Sequence, residues 1–391
     1  MSESYTYLDH AATTPVRPEV RDAMLPYLGA RFGNPSSAHR EGRAARAGLE
    51  QARRQVAEAL GVEPVEVYFT SGGTEADNLA VIGAALGARA AGARMLVAVA
   101  ATEHKAVLAA SHAVSQQGGE ERVIPVHPDG LLDLEALDRV LRERPALVSV
   151  MWVNNETSVI QPIPEIALRV QAQGSLFHSD LVQAVGKVPF SLRDPVVPLA
   201  TISGHKLGAP KGIGALIARR GARIEPLLHG GGQQSGVRPG TENILGAVGL
   251  GCAVALAVAE QGAEGTRLSR LRGMLLEGLR AHAPDLEVTG ESAPRAPHVL
   301  NLRIPGIRAD VLLTRLDLAG IGASGGSACT TGAIEPSHVL TAMGVAREAA
   351  IGAVRFSLGH SSTENDVSRA VALFPSALAA ARKLAEALVH G

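Results

Sequence analysis

A lysine follows a predicted buried strand near the middle of the chain. Lys206 ends the tetrapeptide Ser203-Gly204-His205-Lys206, which comes directly after the apolar run Leu199–Ile202. Active sites of open α/β sheets gather at the carboxyl ends of strands. A lysine there can form a Schiff base with an aldehyde group, and burial assists by lowering its pKa. The tetrapeptide alone leaves a second interpretation open, in which Lys206 is an exposed loop residue.

Two further strand ends carry residues suited to a charged cofactor. Asp180 follows the predicted strand Leu176–His178, and a carboxylate there can pair with a protonated pyridine nitrogen. Gly72-Gly73-Thr74 lies between a strand and a helix, where backbone N–H groups can bind a phosphate. These glycines match neither a dinucleotide-binding loop nor a nucleoside-triphosphate loop. A helix N-cap for Asp180 and an ordinary turn for the glycines are the competing interpretations.

Three more positions place polar side chains beside predicted strands. His104 follows an apolar strand and could stack on a cofactor ring or move protons, although most of the 13 histidines should be structural or surface residues. Asn154-Asn155 follows Leu147–Val153 and either binds a cofactor substituent or builds a turn. Arg355 lies inside an apolar strand, where it binds a substrate carboxylate or forms a structural ion pair.

The two cysteines have contrasting settings. Cys329 lies in the small-residue segment Ser324–Gly332, which predicts an exposed thiol able to act as a nucleophile. Cys252 lies in the Ala/Val-rich helical run Gly249–Val258, which predicts a buried structural residue. Two cysteines form no disulfide framework, and the N-terminus shows no apolar signal region. We therefore expect a cytoplasmic protein.

The elements that position these residues alternate between short strands and helices over residues 43–219. This alternation predicts an α/β domain with a mostly parallel sheet covered on both faces. A long helix over roughly residues 243–283 follows, with a predicted interruption near Gly262–Gly265. The last third of the chain predicts a smaller α+β unit that ends in a helix.

The composition excludes several classes of protein. Apolar residues make up 46% of the 391, which suits a large core, and only 3% are aromatic, so small aliphatic residues must fill that core. The formal net charge of -1 argues against a general nucleic-acid binder or membrane-surface binder. We expect no membrane span, because no stretch reaches 18 uninterrupted apolar residues.

In their order along the chain, these motifs resemble those of cysteine desulfurases of the long-loop type, which supply sulfur for iron–sulfur clusters. That family belongs to the class V aminotransferase-like, fold-type I pyridoxal-phosphate (PLP) enzymes. The resemblance runs nearly end to end, and its landmarks include Phe69–Leu79, Glu103–Val107, Asn154–Thr157, Ser203–Lys206, Gly230–Thr241, Ser327–Cys329 and Arg355–Gly359. It implies a large α/β domain over residues 15–258 with a mostly parallel seven-stranded sheet. Residues 1–14 and 259–391 would form a smaller α+β domain that carries the cysteine loop, residues 320–335.

The resemblance also implies a role for each candidate residue. Lys206 would bind pyridoxal 5'-phosphate as a Schiff base and then move protons, and His104 would stack on the cofactor ring. Cys329 would take the sulfur of L-cysteine, leaving L-alanine and a persulfide. The remaining cofactor contacts would come from Gly73, Thr74, Asn155, Asp180, Gln183, Ser203 and His205. Thr241 would reach the cofactor of the other subunit of a homodimer. The substrate carboxylate would be held by Asn34, Asn155 and Arg355.

The resemblance leaves the sulfur acceptor and two alternative functions open. An iron–sulfur scaffold protein or a tRNA-thiolation protein could accept the sulfur, and Cys329 could be a transient ligand of a nascent cluster. A selenocysteine lyase, or another PLP-dependent lyase or aminotransferase of the same fold, is the alternative activity. The loop cysteine favours a desulfurase because a plain aminotransferase needs no nucleophilic thiol. A non-catalytic scaffold is the third hypothesis, and the presence of Lys206, His104 and Cys329 argues against it.

Overall fold

The computed structural model describes residues 5–193, 196–325 and 335–390. The strands are β1 (Thr6–Tyr7), β2 (Val67–Thr70), β3 (Leu96–Ala100), β4 (Glu120–Ile124), β5 (Leu147–Ser149), β6 (Leu176–Asp180), β7 (Leu199–Ser203), β8 (Gly214–Ala218), β9 (Glu287–Val288), β10 (Val299–Arg303), β11 (Ile321–Gly322), β12 (Ser324–Gly325) and β13 (Ala353–Ser357). The α-helices are α1 (Pro18–Met24), α2 (Arg40–Leu60), α3 (Gly73–Ala90), α4 (Lys105–Gln116), α5 (Leu134–Leu141), α6 (Ile163–Ala172), α7 (Ile244–His282), α8 (Ala309–Leu318), α9 (His338–Ala342), α10 (Arg347–Ile351) and α11 (Glu364–His390). Short 3-10 helices occur at Leu25–Leu28, Pro64–Glu66, Gly204–Lys206 and Gln233–Gly236.

The central sheet has the strand order β2-β8-β7-β6-β5-β3-β4. Its neighbouring strands are parallel except at β8, which runs antiparallel to both β2 and β7. Parallel neighbours need crossover connections, and the helices that provide them cover both faces of the sheet. One apolar cluster joins the sheet to α3 and α4, and another joins it to α2, α6 and the first half of α7. The prediction of a mostly parallel seven-stranded sheet is confirmed.

Helix α7 runs without a break for 39 residues. The predicted interruption near Gly262–Gly265 is therefore wrong. Each glycine in a helix interior costs about 1 kcal/mol, and packing on both sides of these glycines outweighs that cost. Residues such as Leu250 and Val254 lie in the large apolar cluster, whereas Leu268 and Leu275 lie in a second one. The helix thus passes from one core into the other.

Helix α7 contains an 18-residue segment whose mean hydropathy is 1.8. By length and composition alone, the helix is therefore apolar enough to cross a membrane. In the described part of the chain it is the one helix with this property. Here it packs against α1, α2 and α11. Core helices of globular proteins meet the same criterion, so the segment by itself assigns no membrane role.

A smaller antiparallel sheet has the order β12-β13-β10-β9, and β1 pairs with β11. The second apolar cluster lies beneath this sheet and includes residues of α8 and α11. Helices α9 and α10 instead contribute Val339, Leu340 and Ala350 to the large cluster. The proposed boundary at residue 258 falls inside α7, and the division of the chain into 15–258 and the remainder stays a prediction.

Most strands lie within two residues of their predicted bounds, and two differ by more. We expected a strand over Val123–Val126, but β4 spans Glu120–Ile124 and begins with charged residues, which an edge strand tolerates because one side faces solvent. We expected a strand over Leu147–Val153, but β5 ends at Ser149. Beyond Ser149 the buried chain continues toward the cavity described next.

Candidate active site

The carboxyl ends of β6 and β7 and the first turn of α3 border a cavity of about 660 Å³. Ten of the predicted site residues line it: Gly73, Thr74, His104, Asn155, Asp180, Gln183, Ser203, His205, Lys206 and Arg355. They come from segments up to 282 residues apart in the chain (355 − 73). The fold therefore collects most of the predicted site at one edge of the sheet.

Among the described residues, Asn34 and Thr241 are the predicted site residues that do not line the cavity. Asn34 is exposed, and its Oδ1 atom accepts a hydrogen bond from the Ser36 backbone N–H at 2.9 Å. Thr241 is also exposed, and its role at a second subunit stays a prediction. Cys329 lies outside the described residues. Cys252 is half-buried rather than fully buried, and it packs against the large apolar cluster, where burial raises the pKa of its thiol.

Lys206 ends the 3-10 turn that directly follows β7. Its Nζ atom donates hydrogen bonds to the carbonyl oxygens of Ala11 at 2.6 Å and Ala12 at 2.7 Å. Burial, followed by the positive charge of Arg355, lowers the pKa of Lys206 to about 8, against the opposing effect of Asp180. Near neutral pH, a fraction of the protein molecules therefore carries Lys206 as a neutral amine. The neutral amine is the form that attacks an aldehyde carbon.

Asp180 is the last residue of β6, and only 5% of it is exposed. Its Oδ1 atom accepts a hydrogen bond from the Val182 backbone N–H at 2.7 Å. Burial raises the pKa of Asp180 to about 6, while this hydrogen bond and the charge of Lys206 act in the opposite direction. A cation placed against this carboxyl would favour its ionised form, as a protonated ring nitrogen does.

Two acids that the sequence motifs did not single out lie near Asp180. Asp77 is 1% exposed and Glu103 is fully buried. Burial first, and then the charge of Asp180, raises the pKa of both carboxyls well above the usual range. The available signal for Asp77 was an acid on the apolar face of α3, and the signal for Glu103 was its position beside His104.

His104 caps the N-terminus of α4. Its Nδ1 atom accepts a hydrogen bond from the Ala106 backbone N–H at 3.1 Å, so the proton of the neutral ring lies on Nε2. Burial, followed by the charges of Lys206 and Lys105, lowers the pKa of His104. The cavity is therefore lined at this point by a neutral imidazole that can stack on a planar ring or exchange a proton.

Gly73 begins α3 where that helix approaches the end of β7. A Cβ atom at Gly73 would lie 3.3 Å from Cβ of Ser203, so a larger residue would crowd the contact. His205 contacts Thr13 through Nδ1 and Oγ1 at 3.2 Å, and burial, followed by Lys206, lowers its pKa to about 4. A helix N-terminus flanked by hydroxyl and neutral imidazole groups suits a phosphate.

The adjacent amides Asn154 and Asn155 have separate roles. Asn154 is buried, and its Oδ1 atom accepts backbone hydrogen bonds from Glu156 and Thr157, both at 2.9 Å. The turn interpretation therefore describes Asn154. Asn155 lines the cavity, and its carbonyl oxygen accepts a hydrogen bond from Nη1 of Arg355 at 3.0 Å.

Arg355 joins β13 to the N-terminal segment. Its Nη2 atom lies 2.8 Å from both Oδ1 of Asp9 and Oγ of Ser324. The ion pair that we considered for Arg355 is therefore present. The residue also lines the cavity, so its ion pair with Asp9 and a contact to a bound anion are compatible.

Gln183 also lines the cavity, and its amide is hydrogen-bonded at both ends. Nε2 donates to the carbonyl oxygen of Ala11 at 3.0 Å, and Oε1 lies 3.0 Å from Nε2 of His298. The family resemblance implied a cofactor contact for Gln183 and no role for His298.

Residues 6–370 match the family model described as aminotransferase class-V. A cysteine desulfurase of Gluconacetobacter diazotrophicus is 44% identical, and the match covers 97% of this chain and 94% of that protein. The cysteine desulfurase IscS of Dictyoglomus turgidum is 41% identical, with 93% of this chain and 91% of that protein covered. A solved NifS-like protein is 35% identical with a TM-score of 0.89, covering 96% of this chain and 99% of that one.

These matches define a class V aminotransferase fold of fold-type I. Within that class, the chain belongs to the cysteine desulfurase family. The family uses PLP as its cofactor. The residues of the cavity fit this group, because they offer a lysine of lowered pKa, a buried carboxyl and a helix N-terminus at which a glycine allows close approach.

Proposed function

We propose that this chain removes sulfur from L-cysteine, releasing L-alanine and retaining the sulfur as a persulfide on Cys329. The observation that carries the proposal is the position of Lys206, a half-buried amine with a pKa of about 8, in one cavity with Asp180 and His104. The named activity of the relatives supports the substrate.

When bound, PLP supplies an aldehyde carbon for amine groups and a pyridine ring that withdraws electrons from the bonds at that carbon. Lys206 would bind the aldehyde carbon and later hold or release a proton at Nζ. Asp180 would keep the pyridine nitrogen protonated, and His104 would stack on the ring. Gly73, Thr74, Ser203 and His205 would hold the phosphate, while Asn155 and Gln183 would contact the ring oxygen region.

Arg355 would bind the carboxylate of L-cysteine, together with Asn34 and Asn155. Arg355 is 7% exposed and its guanidinium is paired with Asp9, so little side-chain entropy is lost when the substrate binds. Cys329 would then attack the substrate sulfur as a thiolate. The bond between Cβ and the sulfur of L-cysteine would break, and the Cys329 thiolate would take the sulfur. Cβ would retain the electron pair of the broken bond and be protonated to give alanine.

Several finer features belong to the same proposal. The chain would form a homodimer in which Thr241 reaches the other subunit's cofactor. An iron–sulfur scaffold protein or a tRNA-thiolation protein would accept the sulfur, and Cys329 would be a transient ligand of a nascent cluster. The charge balance and the presence of only two cysteines support a cytoplasmic location without nucleic-acid or membrane partners.

The proposal is tested by supplying L-cysteine, L-selenocysteine and cystathionine in parallel and measuring alanine and the other amino-acid products. The parent protein should form alanine from L-cysteine, and Lys206→Ala should form none. Turnover of cystathionine or L-selenocysteine without turnover of L-cysteine would instead support the lyase alternative.

A further inference from the structure

His298 lies at the start of β10, on the far side of Gln183 from the main cavity. It is 1% exposed, and its carbonyl oxygen accepts a hydrogen bond from the Leu358 backbone N–H at 2.8 Å. The backbone at His298 is thus tied to the residue that follows β13. Nε2 of His298 contacts Oε1 of Gln183 at 3.0 Å.

The hydrogen bonds determine the tautomer of His298. Gln183 must present its N–H₂ group to the carbonyl oxygen of Ala11, because the flipped amide would place two oxygens against each other. Oε1 of Gln183 then faces His298, so Nε2 of the imidazole carries the proton and donates it. Burial, followed by the charge of Lys187, lowers the pKa of His298, which keeps the ring neutral.

A second, smaller cavity of about 30 Å³, the rear cavity, lies behind this contact. Gln183 and Lys206 line both cavities and separate them. Nδ1 of His298 is a buried acceptor with no hydrogen-bond partner among the described residues. Lys187 also lines the rear cavity and can donate to Nδ1 through a water molecule, for which the volume is sufficient.

Lys206 and Gln183 meet at one acceptor, the carbonyl oxygen of Ala11. Nζ of Lys206 lies 2.6 Å from it and Nε2 of Gln183 lies 3.0 Å from it. The position of the lysine amine therefore depends on a carbonyl whose second donor is held in place by an imidazole. We propose that His298 is a positioning residue for Lys206, acting through Gln183 and the carbonyl oxygen of Ala11.

This inference rests on the proposed link between Lys206 and PLP. It adds a side chain that touches neither the cofactor nor the substrate. The charged groups that act on Lys206 are Arg355, Asp180 and Asp9, and the neutral ring of His298 is not among them. His298 itself faces the charges of Lys187, Arg272 and Arg355 and the ring of His10, while its link to Lys206 runs through the hydrogen bonds of Gln183 and the carbonyl oxygen of Ala11.

The test compares holoenzymes with His298→Leu, His298→Asn and His298→Gln. The readout is the pH midpoint of the change in the visible absorption band, which reports protonation at the Lys206–cofactor link. Leucine cannot donate and asparagine is too short to reach Gln183, so both should shift the midpoint by about 0.5 pH units or more. Glutamine can donate to Oε1 and should restore the midpoint of the parent. His360→Gln, a change in the rear cavity at a residue that does not contact Gln183, is the matched control.

The inference is overturned if the leucine and asparagine variants both keep the parent's midpoint, or if His360→Gln shifts it as much as they do. Using asparagine as well as leucine keeps the test decisive if one variant does not fold. Lys206→Ala separates this failure from a failure of the proposed function. If Lys206→Ala loses the absorption band while the His298 variants behave like the parent, only the positioning role of His298 is wrong. If Lys206→Ala keeps the band, the assignment of Lys206 as the cofactor-binding lysine is wrong.

Discussion

The guanidinium of Arg355 and the carboxylate of Asp9 form an ion pair at the wall of the main cavity, with 2.8 Å between Nη2 and Oδ1. This contact ties β13 to the segment that follows β1. It also places two opposite charges near Lys206, where Arg355 lowers the pKa of the lysine and Asp9 raises it. The ion pair therefore orients the proposed substrate-binding group and helps to set the protonation of the proposed cofactor-binding amine.

Replacing Arg355 with lysine should raise the KM for L-cysteine about tenfold or more. A planar guanidinium can keep its contact with Asp9 and still offer N–H groups to a second carboxylate, whereas an ammonium group cannot match that geometry. Steady-state kinetics would measure the change. Arg303→Lys, on β10 in the same sheet and paired with Glu287, is the control and should keep the parent KM. An unchanged KM in Arg355→Lys would exclude a role in carboxylate binding.

In the cofactor-free protein, the amine of Lys206 should titrate near pH 8. Reductive methylation at a series of pH values, followed by peptide mass spectrometry, would give the midpoint, with exposed Lys383 as an internal reference for the reagent. Asp180→Asn removes a charge that raises the pKa of Lys206, so the midpoint should fall. Arg355→Met removes a charge that lowers it, so the midpoint should rise. A midpoint near the ordinary lysine value of about 10.4 in all three proteins would contradict the proposed electrostatics.

The pH dependence of stability should change when Glu156 is replaced by glutamine. Burial raises the pKa of Glu156 to about 7, against a hydrogen bond from Oγ of Ser337 at 2.5 Å. The folded protein then binds a proton that the unfolded chain releases above its ordinary pKa of 4.5, so stability falls as pH rises from 4.5 through 7. Chemical denaturation should show Glu156→Gln gaining roughly 2–3 kcal/mol relative to the parent across that interval. Glu165→Gln on the surface of α6 is the control, and equal slopes in all three proteins would show that Glu156 is not responsible.

Strand ends were the part of the site that the sequence could predict. Apolar runs before Asp180 and Lys206 indicated buried strands, and parallel strands bring their carboxyl ends to one edge of a sheet. The strand-to-helix turn at Gly72-Gly73-Thr74 followed from the same reasoning, although α3 begins at Gly73 rather than at Glu75 as predicted. These local patterns were enough to predict the neighbourhood of Lys206, Asp180 and Gly73.

The rest depended on contacts that no local pattern encodes. Lys206 is hydrogen-bonded to backbone carbonyls 194 and 195 residues earlier, and carbonyl groups are the same in every residue. His298 reaches Gln183 across 115 residues, and nothing near His298 in the sequence distinguishes it from the other histidines. The continuous course of α7 through its glycines likewise depends on two cores that form only in the folded chain.

The central claim is that sulfur leaves L-cysteine and becomes bound to Cys329. The most direct measurement is peptide mass spectrometry of the holoenzyme after brief exposure to L-cysteine, with thiols and persulfides trapped by alkylation and alanine measured in the same sample. The account predicts one added sulfur atom on the Cys329 peptide of the parent and of Cys252→Ser, and loss of both this adduct and alanine formation in Cys329→Ser. The account would be contradicted if Cys329→Ser formed alanine at the parent rate, or if the added sulfur appeared on Cys252.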